Sequence, residues 1–272
     1  MTATLYQPAS TEELAQIVRE TAASNVAIAA VGSGTMLGLG NPPEREGITL
    51  EMRALNRIVE HIPEDQVVIV EAGMTLGELQ AELAKHGQRL AIDPPGGEQM
   101  TIGGMIATNA YGPRALHYGT LKDLIVGIEI VRADGAVARA GGKVVKNVAG
   151  FDVSKLMVGA LGTLAIVTKA TFRLHPLPQS TRTVRFTTPV AQVLAFVLAM
   201  REAQLEPSAI VARVHGPDAP SPGWRPANRT ARAAGRGTRS GIRRGKAPAL
   251  RGWCANRQER KATDLLPGLR HR

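Results

Sequence analysis

Hydrophobic residues alternate between helix-like and strand-like spacing over the first 214 residues. A capping sequence at Ser10 precedes apolar residues at helical spacing, and a second helical pattern ends at Gly87. The pattern predicts helices over 11–18, 75–86, 101–109, 151–158 and 190–204. Runs rich in β-branched residues predict strands over 26–31, 48–52, 58–62, 67–71, 124–131, 136–140, 164–174, 184–187 and 209–214, and the first of these is expected to be buried. This mixture predicts an α+β fold.

The positive charge of the chain is concentrated at its C-terminal end. Residues 215–272 hold 14 Lys and Arg and 3 Asp and Glu, whereas the other 214 residues hold 19 and 20. Only 5 of those 58 residues are Val, Ile, Leu or Phe. We therefore expect 215–272 to be a disordered basic tail, because it cannot bury enough apolar surface to offset its ordering entropy.

Two glycine-rich stretches, 93–112 and 141–168, place small residues where main chain must approach something large. A third glycine-rich loop, 32–40, follows the first predicted strand. Its spacing does not match a Rossmann fingerprint, and no Walker A loop is present. Consecutive N–H groups around Gly32, Ser33 and Gly34 can form an anion-binding concavity, although an ordinary glycine-rich turn fits the same residues.

The two longer stretches leave the same kind of alternative open. A helix beginning at Thr101 would direct unpaired N–H groups at a phosphate, with Gly103 and Gly104 allowing close approach. Close packing of that helix on a sheet explains the same glycines. Gly162 and Thr163 would place main-chain groups against a heteroaromatic ring, or they simply form a tight connection into the strand over 164–174.

Together these segments resemble the FAD-binding domain of the vanillyl-alcohol oxidase type, also called PCMH-type. Within that family they are most similar to the FAD-binding E subunit of bacterial glycolate oxidase. The most specific motif runs from Lys146 to Asp152, continues with Leu156 and ends with Gly162–Thr168. The resemblance covers about residues 1–214 and is strongest over 90–178.

The resemblance implies a cofactor site held mostly by main chain, and it implies which positions contact FAD. The implied cofactor-binding residues are Gly32, Ser33, Gly34, Thr35, Met36, Pro95, Thr101, Gly103, Gly104, Ala107, Asn109, Gly112, Gly162, Thr163 and Ile166. Some family members bind flavin covalently through a His in these segments. Neither the first loop nor 93–112 contains His, so non-covalent FAD is expected, with His117 an ordinary loop residue.

No residue pattern identifies a catalytic base or a metal site. The histidines lack metal-ligand spacing, and Cys254 is the single cysteine. Asp152 and Lys155 are candidate polar contacts near the flavin, with helix capping and surface charge as the alternative.

The resemblance also implies a domain organisation. It predicts a two-subdomain FAD-binding domain over 1–178 and the start of a truncated α+β cap over 179–214. The tail over 215–272 departs from the family, and its Arg, Gly, Pro and Ala content is typical of a GC-rich gene translated in a wrong frame. A frameshift product is the hypothesis here, and a genuine basic arm that binds nucleic acid is the alternative.

The expected function is that of an FAD-binding subunit of a flavin oxidoreductase complex that oxidises glycolate or another 2-hydroxy acid. The implied partners are a second flavin subunit and an iron–sulfur subunit, with no nucleic acid. No run of 18 apolar residues is present, so no membrane span is predicted, and a cytoplasmic location with attachment to the inner membrane through partners is expected. An independent FAD-dependent oxidase and a nucleic-acid-binding protein acting through its tail are the alternatives.

Overall fold

The structure is a computed structural model that describes residues 4–39, 45, 47–142 and 152–213. Most of the motif 146–152 and the whole basic tail 215–272 therefore lie outside the described residues. Described residues up to Leu177 form one compact unit, and those from Pro178 onward form a second. None of the described helices is long and apolar enough to cross a membrane.

The elements alternate along the chain as an α+β protein. The strands are β1 Thr4–Tyr6, β2 Ala27–Val31, β3 Gly47–Glu51, β4 Ile58–Ile62, β5 Val67–Glu71, β6 Gln88–Arg89, β7 Ile125–Arg132, β8 Val137–Gly141, β9 Ala165–Arg173 and β10 His175–Pro176. The helices are α1 Thr11–Ala23, α2 Leu76–Ala84, α3 Ile102–Thr108, α4 Ala115–Tyr118, α5 Leu121–Leu124, α6 Val153–Met157 and α7 Val190–Glu202. The predicted α+β class is confirmed.

The strands form three sheets. A five-stranded antiparallel sheet has the order β4-β5-β9-β7-β8, and a three-stranded parallel sheet has the order β1-β3-β2. The short strands β6 and β10 pair antiparallel. The first unit therefore contains a small parallel part near the N-terminus and a larger antiparallel part.

Helix capping explains where the first two long helices begin. The Ser10 side chain accepts a hydrogen bond from the N–H of Glu13 at the start of α1. Thr75 and Glu78 form a reciprocal capping box at the start of α2. Such caps stabilise a helix by about 1 kcal/mol each, which is why the sequence locates these starts well.

Two hydrophobic clusters form the core. The larger one joins the antiparallel sheet to α2 and α3, and its fully buried side chains include Leu79, Met105 and Phe172. The smaller one packs α1 and β3 against strands β7 and β9 through Leu14, Leu50, Val131 and Ile166. Through this second cluster the small parallel part packs against two interior strands of the antiparallel sheet, β7 and β9.

A buried carboxylate, Glu129 on β7, completes that junction. The pairing of β7 with β9 shifts register between Glu129 and Ile130, which leaves Thr168 as the extra residue of a β-bulge. The bulge brings the Thr168 hydroxyl and the Lys169 ammonium to one oxygen of Glu129, at 2.9 and 2.7 Å. Thr11 of α1 donates to the same oxygen at 3.0 Å, and Arg139 of β8 donates to the other at 2.6 Å.

Four elements thus meet at the Glu129 carboxylate, and their hydrogen bonds change its pKa. Burial acts to raise the pKa of Glu129, but the hydrogen bonds from Lys169, Arg139, Thr168 and Thr11 outweigh it and lower the pKa from 4.5 to about 2. The carboxylate is therefore ionised throughout the neutral range.

Three segments differ from their predictions. Strand β2, expected to be buried, is mostly exposed because it is the edge of the three-stranded sheet and carries small alanines. Residues 184–187 and 209–213 are not strands, because no other strand pairs with them in the described part of the chain. Helix α7 has no buried residue, and Val190 and Leu194 are each 67% exposed.

We predict that Glu129→Gln lowers the free energy of unfolding at pH 7 by about 3 kcal/mol, because the variant leaves Lys169 and Arg139 without their carboxylate. In the wild type this contribution is present above about pH 5 and is lost as the pH falls toward 2, because the folded-state pKa lies below the unfolded one. Urea unfolding between pH 7 and pH 3 measures both effects.

The matched control is Glu82→Gln, which removes an exposed carboxylate paired only with Lys85. That variant is expected to unfold within about 0.5 kcal/mol of wild type at every pH. Equal losses in the two variants, or an unchanged acid dependence in Glu129→Gln, would contradict the assignment.

Candidate functional site

The three glycine-rich segments meet around helix α3. The Ser33 hydroxyl donates to the carbonyl oxygen of Gln99 at 2.5 Å, which fixes the first loop beside the start of α3. At the other end of α3, the N–H groups of Gly159 and Leu161 donate to the carbonyl oxygens of Ile106 and Ala107, each at 2.9 Å. Segments far apart in sequence therefore line one short helix from both ends.

The first loop presents unused hydrogen-bond donors. Within the described part of the chain, none of the main-chain N–H groups of Ser33, Gly34, Thr35 or Met36 donates to a protein acceptor. Gly34 has a φ of +70°, and a left-handed residue in such a turn directs neighbouring N–H groups to one side. Free donors around a left-handed glycine are what an anion-binding concavity requires, and the described part of this loop supplies both.

Gly32 at the start of this loop has a different role. A Cβ atom added there would overlap the Thr101 hydroxyl, so only glycine lets the loop pass this close to the N-cap of α3. Thr101 uses the same hydroxyl to accept from the N–H of Gly104 at 3.2 Å. The contact between Gly32 and Thr101 therefore sets the position of the loop relative to the helix.

The N-terminus of α3 does not supply the free donors that its sequence suggested. Ile102 N–H donates to the carbonyl of Met74 at 2.9 Å, and Gly103 N–H donates to that of Ala72 at 2.7 Å. Gly104 N–H is taken by the Thr101 cap. The first turn of α3 is thus used to attach the helix to the end of β5, and the expectation of unpaired donors there is wrong.

The two glycines of this turn have different roles: one serves close packing of the helix, and the other leaves room for a ligand. A Cβ at Gly103 would press on the Ala72 Cβ at 3.0 Å, so Gly103 serves close packing of helix on strand. A Cβ at Gly104 would meet only the Thr101 hydroxyl, at 3.0 Å, and otherwise open space. Gly104, Ala107 and Thr108 share one helix face and are all partly exposed. This face carries small side chains and is partly open to solvent.

Asn109 ends α3 in the left-handed conformation, with a φ of +50°. Its Oδ1 atom is buried and has no hydrogen-bond partner. Buried polar atoms in folded proteins are nearly always paired, so this Oδ1 fits a position that receives a hydrogen bond from a bound group.

The third segment is a strained turn that faces open space. Leu161 has a φ of +52°, which is costly for a residue with a side chain, and Gly162 follows with a φ of +75°. A Cβ at Gly162 would contact nothing within 4 Å. The side chains of Leu161 and Leu164 are 51% and 50% exposed, so an apolar rim accompanies the turn. The sequence did not single out these two leucines.

The other implied contact residues make contacts within the protein itself. The Thr163 hydroxyl donates to the Ala160 carbonyl at 2.7 Å, and the side chain of Ile166 is buried in the smaller core cluster. A Cβ at Gly112 would overlap the main chain of Asp93, so this glycine is required by the protein itself. Pro95 is half-buried, and a Cβ at the next residue, Gly96, would lie 3.8 Å from the Cβ of Thr35 in the first loop.

The roles of Asp152 and Lys155 follow from their positions in the first turn of α6. Asp152 is the N-cap of α6 and accepts from the N–H of Lys155 at 3.2 Å, and the two side chains pair at 2.9 Å. Both are exposed, so capping and surface charge account for them. His117 is exposed in α4 and stacks edge-on against Tyr118.

The arrangement can therefore hold an elongated ligand with an anionic part. The N–H groups of the first loop, which have no acceptor among the described residues, suit a phosphate. The small side chains on the exposed face of α3 leave room for a flat group, and Asn109 has an unpaired polar atom. FAD has these parts, so the residues present fit it.

Comparison with known proteins places the chain among flavin-binding proteins. A family model described as "FAD binding domain" matches residues 2–141. A D-lactate dehydrogenase of Archaeoglobus fulgidus is 41% identical over 173 residues, which are 63% of this chain and 38% of that protein. Glycolate oxidase subunit GlcD of Bacillus subtilis is 36% identical over 65% of this chain and 38% of its own length. Glycolate oxidase subunit GlcE of Escherichia coli is 37% identical over 57% of this chain and 44% of its own length.

Solved structures agree with the sequence matches. An alkyldihydroxyacetonephosphate synthase superimposes with a TM-score of 0.64 at 25% identity, covering 75% of this chain and 38% of that one. This chain thus spans only 38% to 44% of the length of the proteins that it resembles here.

We predict that Gly32→Ala destabilises the protein by about 1–3 kcal/mol, because its Cβ overlaps the Thr101 hydroxyl and forces the loop away from α3. Gly38→Ala, in the same loop, is the control, since a Cβ there meets nothing within 4 Å. Urea unfolding measures both variants. If the two alanines had the same effect, the contact between Gly32 and Thr101 would not position the loop.

Proposed function

This chain belongs to the FAD-binding domain family, and we propose that it is the cofactor-binding part of a flavin-dependent oxidoreductase acting on 2-hydroxy acids. The resemblance inferred from the glycine-rich motifs is confirmed, and FAD is the cofactor of this family. The activity rests on relatives named as D-lactate dehydrogenase and as glycolate oxidase subunits.

Both ends of helix α3 offer polar groups that no described residue satisfies. The free N–H groups of Ser33–Met36 stand at one end of the uncovered face of α3, and the unpaired Oδ1 of Asn109 stands at the other. Both ends lack protein partners among the described residues, and a single extended cofactor satisfies both.

We assign the roles of the site residues on that basis. The amides of Ser33, Gly34, Thr35 and Met36 hold the pyrophosphate, in place of the α3 N-terminus. Gly104, Ala107, Asn109 and Gly162 form the surface against which the cofactor lies. The remaining residues shape or support this surface: Gly32, Pro95, Thr101, Gly103, Gly112, Thr163 and Ile166.

When bound, FAD supplies the acceptor for the two electrons removed from the substrate. The chain's own contribution is to bind and orient the cofactor through main-chain donors and to give its ring an apolar rim at Leu161 and Leu164. No His in the first loop or in 93–112 is present to attach it, so we propose non-covalent binding. No described side chain is assigned as the catalytic base.

We further propose that residues 1–178 are the cofactor domain and that 179–214 begin the part that covers the substrate. Relatives named as subunits suggest a larger assembly, and the proposed partners are a second flavin subunit and an iron–sulfur subunit. Because this chain spans less than half of its relatives, we expect substrate turnover to require more than this chain.

Absorbance of the purified chain tests the proposal directly. A flavin spectrum that is released into the supernatant by acid precipitation supports non-covalent FAD, whereas flavin that stays with the pellet indicates a covalent bond. A chain that neither carries nor takes up FAD would overturn the proposed function. Reduction of the bound flavin by glycolate or D-lactate, with and without the partner subunits, tests the substrate class.

We predict that Gly104→Val reduces FAD affinity at least about tenfold, because a branched side chain stands where the cofactor must lie. Titration of the apoprotein with FAD, followed by flavin fluorescence, measures the affinity. Gly38→Ala serves as the control and is expected to bind like wild type. An unchanged affinity in a folded Gly104→Val variant, judged by circular dichroism, would contradict the placement of the cofactor on α3.

A further inference from the structure

A second polar cluster joins the short β6–β10 sheet to helix α4. Its centre is Arg89, which is only 9% exposed. No carboxylate lies within ion-pair distance of its guanidinium in the described part of the chain. Its Nε atom is buried without any hydrogen-bond partner. Burying an arginine without a counter-ion is costly, because charged groups lose their hydration.

His175 on β10 shares this unsatisfied state. It is the direct register partner of Arg89 in the antiparallel pair, so the two side chains project on the same face of the sheet. The Nδ1 atom of His175 is also buried and unpaired. Only three buried side-chain atoms of the described residues lack a partner, and two of them belong to this one strand pair.

Tyr118 at the end of α4 supplies a third polar group. Its hydroxyl oxygen accepts from Nη2 of Arg89 at 2.7 Å, which leaves the hydroxyl hydrogen free to donate elsewhere. Its ring lies 5.0 Å from the Arg89 guanidinium carbon and 5.0 Å from the His175 ring. The tyrosine thus touches both unsatisfied side chains.

The surroundings are positive. Burial lowers the pKa of His175, and its electrostatic interactions with Arg173, Arg89 and His117 act in the same direction. Among the described residues, Asp93 is the acidic group that acts electrostatically on Arg89, and it is engaged with Arg114, whose N–H donates to its Oδ1 at 3.0 Å. The field at Arg89 therefore favours a negative ligand that this chain does not itself provide in its described part.

We propose that Arg89, His175 and Tyr118 form a binding site for a small carboxylate. The three donors are Nε–H of Arg89, O–H of Tyr118 and Nδ1–H of His175, and they match the lone pairs of a carboxylate's two oxygens. A carboxylate neutralises Arg89 and pairs both orphaned nitrogens at once. The site stands apart from the FAD proposal, since none of its three residues belongs to the cofactor surface.

The experiment uses the full chain with ¹³C-labelled acetate as the probe at pH 7 and constant ionic strength. Acetate binding is followed by the broadening of its carboxyl resonance and by calorimetric titration. Saturable binding is expected in the wild type, with the same affinity whether or not FAD is present. Arg89→Gln is expected to weaken it at least about tenfold, the size of one charge-assisted hydrogen bond.

Tyr118→Phe is the second variant, because it keeps the ring against Arg89 and His175 and removes only the hydroxyl. It is expected to stay folded and to bind acetate several-fold more weakly, which keeps the test decisive if Arg89→Gln does not fold. The control is Arg132→Gln, an exposed arginine paired with Asp134, which is expected to bind like wild type.

Three outcomes would overturn the proposal. The first is the absence of saturable acetate binding, which is what a buried water satisfying the two nitrogens would give. The second is equal binding by wild type and Tyr118→Phe. The third is competition by inorganic phosphate at the same concentration as unlabelled acetate, which would show a general anion site.

Discussion

Main-chain hydrogen bonds hold helix α3 at both of its ends, and the candidate cofactor surface depends on this. At its start, Ile102 and Gly103 donate to the carbonyl groups that follow β5, and at its end the carbonyls of Ile106 and Ala107 accept from the segment before β9. Strands β5 and β9 are neighbours in the sheet, so the helix lies across two adjacent strand ends. Its exposed face is thereby fixed, and the first loop is added to it through Gly32, Ser33 and Thr101.

This attachment explains why the glycines of the motifs are not equivalent. Gly32, Gly103 and Gly112 are glycines because a Cβ would collide with protein atoms, so their absence of a side chain serves the fold. Gly104 and Gly162 face open space, where a side chain would collide only with a ligand or with a flexible hydroxyl. Both groups of glycines contribute to the surface. Gly32, Gly103 and Gly112 let segments of the main chain pack closely on one another, and Gly104 and Gly162 leave room for a ligand.

Electrostatics contributes to the same construction in two contrasting ways. Glu129 is a buried charge whose donors all come from the protein, and it joins α1, β7, β8 and β9 where the parallel part meets the antiparallel sheet. Arg89 is a buried charge whose Nε has no protein partner. A buried ion needs hydrogen bonds or an opposite charge to offset its lost hydration. Glu129 obtains them from the protein and so marks a structural junction, whereas Arg89 does not and so indicates a place for a ligand.

From the sequence alone, the α+β class and most element positions follow from hydrophobic spacing and capping residues, which are local in the chain. The family and FAD follow from the resemblance of the glycine-rich segments to known flavin-binding proteins. The sequence placed β4 and β5 at their observed bounds and the start of α2 at its cap. It also predicted strands at 184–187 and 209–214, whereas the described residues 184–187 and 209–213 form none, since propensity does not reveal whether a partner strand exists. The positions of the free donors depend on tertiary contacts. The use of the α3 N–H groups by Ala72 and Met74, and the pairing of Arg89 with His175, join residues distant in sequence, and such contacts leave no local pattern to recognise.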